Sequence, residues 1–483
     1  MADQPIPLYY QLKRRLLEQI LEGRYGADGR LPTEHELCEQ YGLSRTPVTR
    51  ALSELAEEGA VLRHRRRGTF VNPHWLRRQP GAPEVRVLVP DGPWVEHLGR
   101  TAGGDLRLSF VTVDLTELHS VFMHAVAEGR GPDLAVLDSV WVPEFAADGF
   151  LTTLEELDDG WITKEHDSDF LPPFVDAYRY GNGTVAVQAE TDLAGLWYRR
   201  DVLARAGVEP PTTWKELRAL GRRLMAEHAT RGHAVALPGG SRAAETTTYC
   251  LVTLLASNGA TVLSADGVTL DSPATVEAMR FLRGLVDDGT LPVDAVGYQS
   301  DRPIKLLAHG QAAMCFAGSY EAHVLARTAG ISLDEVPREF GFAPMPAGPH
   351  GRAAVLAGGM VYCIPRQAHH PALAMRVLRG AVAPDALARL CLGTGQIPPR
   401  RTAVDIVAPD SAFHAHTAAL LHQAVVRPAT PSYALVSAQL QAMLEAVLTR
   451  QRSPAAAVAR AADMIGAITG LPVLRRARTA GIA

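Results

Sequence analysis

Apolar residues change rhythm along this chain. From Leu31 to Val71 they fall first at helical and then at strand spacing. Thr33 and Glu36 form a capping box, the hydroxyl closing the first turn and the carboxylate reaching back. Leu37, Cys38 and Tyr41 then point inward, and Gly42 ends the helix and permits a sharp turn. Ser44 is placed to cap a second helix, with Pro47 in its first turn, where a missing N–H does no harm. Val48, Ala51, Leu52 and Leu55 recur at i, i+3, i+4 and i+7 and make one apolar face. The opposite face carries Arg45, Thr46, Thr49 and Arg50. Val61-Leu62 and Thr69-Phe70-Val71 flank Arg63–Gly68, which predicts a hairpin with a basic tip. Residues 1–73 therefore read as one helical and hairpin unit, and residues 74–84 as a linker broken by Pro80, Gly81 and Pro83.

From Val85 onward the rhythm alternates. Val85–Val89, Leu108–Val113, Leu134–Leu137 and Val185–Val187 read as strands. Stretches 119–129, 214–228, 275–288, 318–329, 368–382, 435–450 and 454–469 read as helices. That alternation predicts an α/β architecture with a mainly parallel sheet over residues 85–483, long enough to form two lobes. Trp197 within a strand and Trp214 at a capped helix start are expected in the core.

Composition narrows the function classes. The chain has 483 residues, 47% hydrophobic and 21% charged, with a formal net charge of −4. These are values of a soluble globular protein, and the charge excludes a chain that is basic overall. Residues 1–80 hold 13 Lys+Arg against 10 Asp+Glu, so they carry +3 and the remainder −7. The basic excess falls on the helix–turn–helix–hairpin segment, where guanidinium and hydroxyl donors suit phosphates and base edges. Arg77 and Arg78 suit a solvated linker or a phosphate contact equally. No stretch approaches the roughly 20 apolar residues of a membrane span, and the N-terminus lacks the pattern of a secretory signal, so the expected location is the cytoplasm. Cys38, Cys250, Cys315, Cys363 and Cys391 are widely spaced, which predicts isolated core thiols and neither a disulfide framework nor a metal site. His414, His416 and His422 read as exposed helix residues. Asp158-Asp159 and Asp287-Asp288 end helices or fill loops and are assigned no chemistry.

Taken in order, Pro7–Leu12, Leu31-Pro32-Thr33-Glu34, Leu43–Val48, Ala51–Leu55, Glu58-Gly59 and Gly68–Val71 resemble the GntR family of bacterial regulators over about seventy residues without a gap. The resemblance implies a winged helix-turn-helix. It also implies DNA contacts by Thr33, Glu34, Ser44, Arg45, Thr46, Thr49 and Arg50, with Arg67, Gly68 and Thr69 in the wing. Thr33 stands where the family more often has Ser, and the hydroxyl is kept.

The remainder resembles the solute-binding proteins of ABC importers, the sugar-binding cluster in particular. The motifs include Pro132–Val136, Gly149–Leu154, Asn182–Gln188, Leu196–Leu203, Pro210–Leu217, Ser257–Ala260, His309–Met314, Ala343–Gly348 and Gly358-Gly359; residues 85–130 match weakly. Arg199-Arg200 replaces the family's usual Asn before the aspartate. The resemblance implies a two-lobed, periplasmic-binding-protein-like (type II) fold that holds a small molecule between its lobes. Ligands of open α/β sheets sit beyond the carboxyl ends of the strands. That rule selects Trp94, Asp138, Trp141, Glu190, Asp192, Ser241, Glu245, Ser319, Tyr320, Glu321, Gly359 and Gln396. Carboxylates and amides beside an aromatic platform suit a carbohydrate, with Trp94 and Trp141 as stacking candidates that compete with a core role.

Together these readings predict a ligand-responsive transcription regulator without enzyme activity or cofactor. It is expected to be a homodimer on a palindromic operator. Two alternatives stay open: a pyridoxal-phosphate enzyme-like domain, and an interaction scaffold without a ligand. The first needs a lysine for the aldimine, and Lys164, Lys215 and Lys305, the lysines beyond residue 73, lie in no suitable setting. Motifs of nucleophilic, phosphate-binding or zinc hydrolase sites are not found.

Overall fold

A computed structural model of the chain describes residues 7–21, 23–25, 29–64, 67–76, 84–104, 106–181 and 183–475. The chain divides into two units. One takes Met1–Val136, Glu156–Asp158 and Cys363–Ala386; the other takes Leu137–Glu155, Asp159–Tyr362 and Leu387–Ala483.

The first unit begins with helices α1 (Leu8–Leu21), α2 (Glu34–Tyr41) and α3 (Arg45–Glu57) and the antiparallel strands β1 (Val61–His64) and β2 (Gly68–Val71). Leu12, Leu16, Ile20, Leu37, Val48, Leu52 and Leu55 close one small core. Lys13, largely buried on α1, spans to Glu54 at 3.1 Å and Glu58 at 2.5 Å and ties α1 to α3. At the expected linker Pro73–Leu76 forms a helical turn and a strand starts at Glu84, and residues 77–83 lie outside the described residues. Arg65, Arg66, Arg77 and Arg78 lie outside the described residues.

Strands β3 (Glu84–Pro90), β4 (Arg107–Val113) and β5 (Leu134–Asp138) follow, with α4 (Trp94–Thr101) and α5 (Leu115–Ala127) between them. β3 runs parallel to β4 and to β5, as the alternation predicts. Asp133 secures the distant segment Cys363–Ala386 to this sheet. Its buried carboxylate accepts from the backbone N–H of Arg86 at 2.9 Å, His369 at 2.6 Å and His370 at 3.0 Å. Burial opposes its charge, but those donors outweigh burial and hold its pKa below the ordinary value.

In the second unit, β6 (Ala186–Gln188) leads to β7 (Asp192–Arg199), which centres a six-stranded sheet. β8 (Val235–Ala236), β9 (Met314–Gly318), β10 (Phe340–Ala343), β11 (Val355–Gly358) and, after β12 (Met360–Cys363), β13 (Ala424–Val426) complete the strand series. β7 is antiparallel to β9, β10 and β11, whereas β8–β9 and β11–β13 are parallel. The mainly parallel expectation therefore fails here. β9, β10 and β11 each run against β7, a direction of pairing that an apolar run does not encode.

Predicted helices appear at Trp214–Ala226, Pro273–Asp287, Pro371–Ala381, Tyr433–Leu448 and Pro454–Thr469. The one expected at 119–129 starts earlier, at Leu115, because Asp114 caps it. The one expected at 318–329 opens as a tight turn, Ser319–Glu321. Glu245–Ser257 is a helix that the apolar pattern hid, since it is buried almost all round. Trp197 is fully buried, and Trp214 stacks on Phe281 with ring centroids 4.6 Å apart. The cysteines are free, Cys38 half-buried and the others buried. His414 departs from its expected exposure. It is 2% exposed, with Nε2 3.0 Å from the Cys391 carbonyl oxygen, and burial lowers its pKa.

Candidate nucleic-acid interface and ligand site

Local sequence positions the outer face of α3. Both hydrogen bonds of the Thr33–Glu36 capping box form, and Gly42 ends α2 at φ 63°, a left-handed conformation that glycine adopts without cost. Ser44 occupies the N-cap of α3 but makes no side-chain cap bond, so its exposed hydroxyl is not spent on the helix. With Val48, Ala51, Leu52 and Leu55 turned into the core, Arg45 and Thr46 face solvent; the Arg45 side chain is 84% exposed.

Glu34 organises this face. Its carboxylate accepts from Arg45 Nε at 3.3 Å, Thr49 Oγ1 at 3.2 Å and Arg63 Nη2 at 2.6 Å. Burial works against its charge, but these partners prevail and hold its pKa below the ordinary value. Arg63, on β1, also donates to Ser53 at 3.1 Å, which ties the wing to α3. It is a member of this constellation that spacing alone did not select. Arg50 remains exposed but leans back over the Tyr9 ring, 3.8 Å from its centroid, and donates to Glu54 at 3.2 Å. Arg67 is exposed at the wing turn, with Gly68 and Thr69 half-buried beside it.

The second polar constellation lies wholly in the second unit and centres on Arg427. Its guanidinium, with the side chain 8% exposed, meets Glu245 Oε1 at 2.9 Å, Asp138 Oδ1 at 3.4 Å and Ser139 Oγ at 3.3 Å. It also lies over the Tyr249 ring, 5.0 Å from the centroid. Glu245 accepts further bonds from Tyr433 Oη at 2.5 Å and Ser437 Oγ at 2.9 Å. Asp138 caps the turn after β5 by accepting from the Val140 N–H at 3.1 Å. Tyr249 donates to Asp192 and, at 2.8 Å, to the Leu356 carbonyl. Burial pushes Asp192 up to about 6, against the Tyr249 hydrogen bond and the Arg427 charge. Glu190, 2% exposed, is pushed well up by burial and by Asp192. One of its oxygens accepts from the Met360 N–H at 3.0 Å, and the other has no partner. The β11–β12 turn passes close by. A Cβ on Gly359 would lie 2.2 Å from the Glu190 carbonyl, and φ there is 122°, so only glycine fits.

Of the twelve residues expected at a ligand, the structure thus gathers Asp138, Glu190, Asp192, Glu245 and Gly359. Tyr320 lies beside them, its ring centroid 6.5 Å from that of Tyr249 and its hydroxyl 3.2 Å from Thr246 Oγ1. Trp141 is half-buried in the turn that follows Asp138. The others separate. Ser319 is buried and its hydroxyl accepts from the Leu193 N–H at 2.9 Å, tying the turn after β9 to β7. Glu321 is buried, its pKa raised first by burial and then by Asp301. Ser241 is exposed, and Gln396 is half-buried with an unpartnered side-chain oxygen. Trp94 belongs to the first unit and is 5% exposed at the start of α4, a packed position and not an open platform. Arg427, Tyr249, Tyr433 and Ser437 were not found from sequence. Arg427 directly follows the apolar run Ala424–Val426, the one local sign that it ends a strand. Lys164 and Lys215 are exposed and Lys305 pairs with Asp301, so none is the buried amine that an aldimine requires.

A three-helix unit with a hairpin wing, followed by an α/β part whose buried polar network converges from distant strands, defines a regulator module joined to a solute-binding module. The chain belongs to the bacterial extracellular solute-binding protein family, matched over residues 102–386, and carries a domain of the bacterial regulatory proteins' GntR family over residues 8–71. A curated relative, named as a binding protein of Brucella abortus, is 23% identical over 287 residues, 57% of this chain and 66% of that protein. The Bacillus subtilis transcriptional repressor NagR is 48% identical over 68 residues, 14% of this chain and 28% of that protein. The chain thus spans about two thirds of the first relative and under a third of the second. The maltose-bound MalE3 of T. maritima superposes with a TM-score of 0.70 at 24% identity, covering 80% of this chain and all of that one, which shows the fold. Among the described residues no helix is long and apolar enough to cross a membrane.

Proposed function

We propose that the chain is a cytoplasmic, DNA-binding transcription regulator whose operator affinity is set by a small molecule, a sugar or oligosaccharide, bound in its solute-binding module. The observation that carries this reading is the outer face of α3. Arg45, Thr46 and Thr49 stand opposite a closed core, and Glu34 orients two of them with Arg63 on the wing strand. Such a face enters a major groove while the wing lies on phosphates. Arg427 and its carboxylates supply a fixed set of donors and acceptors for hydroxyl groups, and the half-exposed Trp141 offers an apolar ring face. That NagR is named a repressor, and that MalE3 was solved with maltose, supports each half separately. Two copies on a palindromic operator match two winged units to two half-sites. A coupling of about 1–3 kcal/mol between effector and operator is enough for regulation.

A gel shift of the full chain on the DNA upstream of its own gene tests the first half. Arg45→Ala is expected to weaken binding roughly tenfold or more, the worth of one good base-edge contact. Unchanged specific binding refutes the interface. Thermal shift against a broad sugar panel tests the second half, because a ligand that binds the folded state raises stability by mass action. Silence across the panel favours an interaction scaffold.

A further inference from the structure

Asp138, Glu190, Asp192 and Glu245 act on one another electrostatically, and Arg427 is the cation that faces Asp138, Asp192 and Glu245. Arg427 pairs with Glu245 and Asp138 and its charge also reaches Asp192, while among the described residues Glu190 makes no ion pair. Glu190 is the sharper case. It is 2% exposed, it sits beside the like charge of Asp192, and one carboxyl oxygen has no hydrogen-bond partner. A buried carboxyl in that position either keeps a proton or meets an incoming positive charge. Among the described residues no three carboxylate, imidazole or thiol groups are arranged to hold a metal ion, so the cation has to bring its own directional donors. An ammonium does this, offering three N–H groups to the spare Glu190 oxygen and to Asp192. Gly358 lets the backbone pack closely against these groups, since a Cβ there would lie 2.9 Å from Arg427 Nη2 and 3.1 Å from Asp192 Oδ1.

We propose that the effector is an amino sugar whose free ammonium is held by Glu190 and Asp192, while its hydroxyls bond the Arg427–Glu245–Asp138 part of the network; this rests on the reading of the module as a carbohydrate sensor. Glu190 is then the residue that sets specificity, by rewarding a charged amine over a hydroxyl at the same ring position.

Calorimetric titration of the full chain with matched sets tests it: glucosamine, glucose and N-acetylglucosamine, and the corresponding chitosan disaccharide, cellobiose and chitobiose. The free amine is expected to bind roughly tenfold or more tighter than its hydroxyl and acetamido counterparts. Glu190→Gln, close in shape to the protonated side chain, is expected to reduce that preference to within about twofold. Asp192→Asn, run in parallel with melting curves for both variants, is expected to reduce it in the same direction. A neutral sugar that binds as tightly as its amine overturns the amine assignment and leaves the carbohydrate reading standing. If no member of either set binds, the carbohydrate reading falls and takes this inference with it.

Discussion

Glu34 shows how one side chain sets the chemistry of a surface it barely occupies. Its carboxylate takes three donors, from Arg45, Thr49 and Arg63, and a carboxylate so engaged fixes the direction of guanidinium groups that otherwise sweep freely. Its role is therefore read as positioning, since a bare carboxylate facing phosphates repels them. Glu34→Gln keeps the shape and removes the charge. It is expected to lower operator affinity severalfold in a gel shift while moving the melting temperature by little, because partly exposed ion pairs contribute about 0–1 kcal/mol. At the other site Asp192 carries a measurable signature. Its folded pKa of about 6 lies above its ordinary value of 3.8, so the folded state holds the proton more tightly than the unfolded chain. The associated stability is complete below about pH 4 and is lost as pH rises through about 6, by up to a few kcal/mol. Asp192→Asn, compared with the parent in melting curves from pH 4 to pH 7.5, is expected to remove that downward slope; parallel curves refute it.

Elements divide by how local their determinants are. α2 is written in its capping box and α3 in a four-residue apolar stripe, and both form where read. Thr33→Ala is expected to cost about 1 kcal/mol in denaturant unfolding of the first unit, the usual worth of an N-cap hydroxyl. Leu52→Ala, which empties a fully buried position of α3, is expected to cost about 2–5 kcal/mol and to abolish operator binding by unfolding its support. The helix Glu245–Ser257 is the contrary case. Thr247, Thr248 and Thr253 on it are as buried as Leu251 and Leu254, with Thr248 bonded to Ser437 at 2.6 Å and Thr253 to the Tyr249 carbonyl at 2.7 Å. A helix enclosed by other elements needs no polar face, so periodicity has nothing to report. Direction within the second unit's sheet was hidden similarly, because an apolar run carries no sign of which way its neighbours run.

For the whole molecule, charge and symmetry give the testable statement. The surplus of +3 over residues 1–80 sits against −7 elsewhere, so DNA affinity is expected to fall steeply with salt and the isolated solute-binding module to show none. Measured as log affinity against log salt, two copies on a palindrome should give a slope about twice that of one copy on a half-site; equal slopes argue against dimeric binding. By itself the sequence determined the winged unit, its helices and its outward guanidinium face, because these follow from contacts within a few turns of chain. It also selected Asp138, Glu190, Asp192 and Glu245, as residues of loops beyond the strands. Only tertiary structure decided that Arg427 lies on Asp138, 289 positions away, that Tyr249 reaches Asp192, that Trp94 is packed, and that residues 363–386 join the N-terminal unit. Hydrogen bonds and ion pairs over such separations depend on where whole elements come to rest, and they leave no period, cap or spacing in the chain for a reader to find.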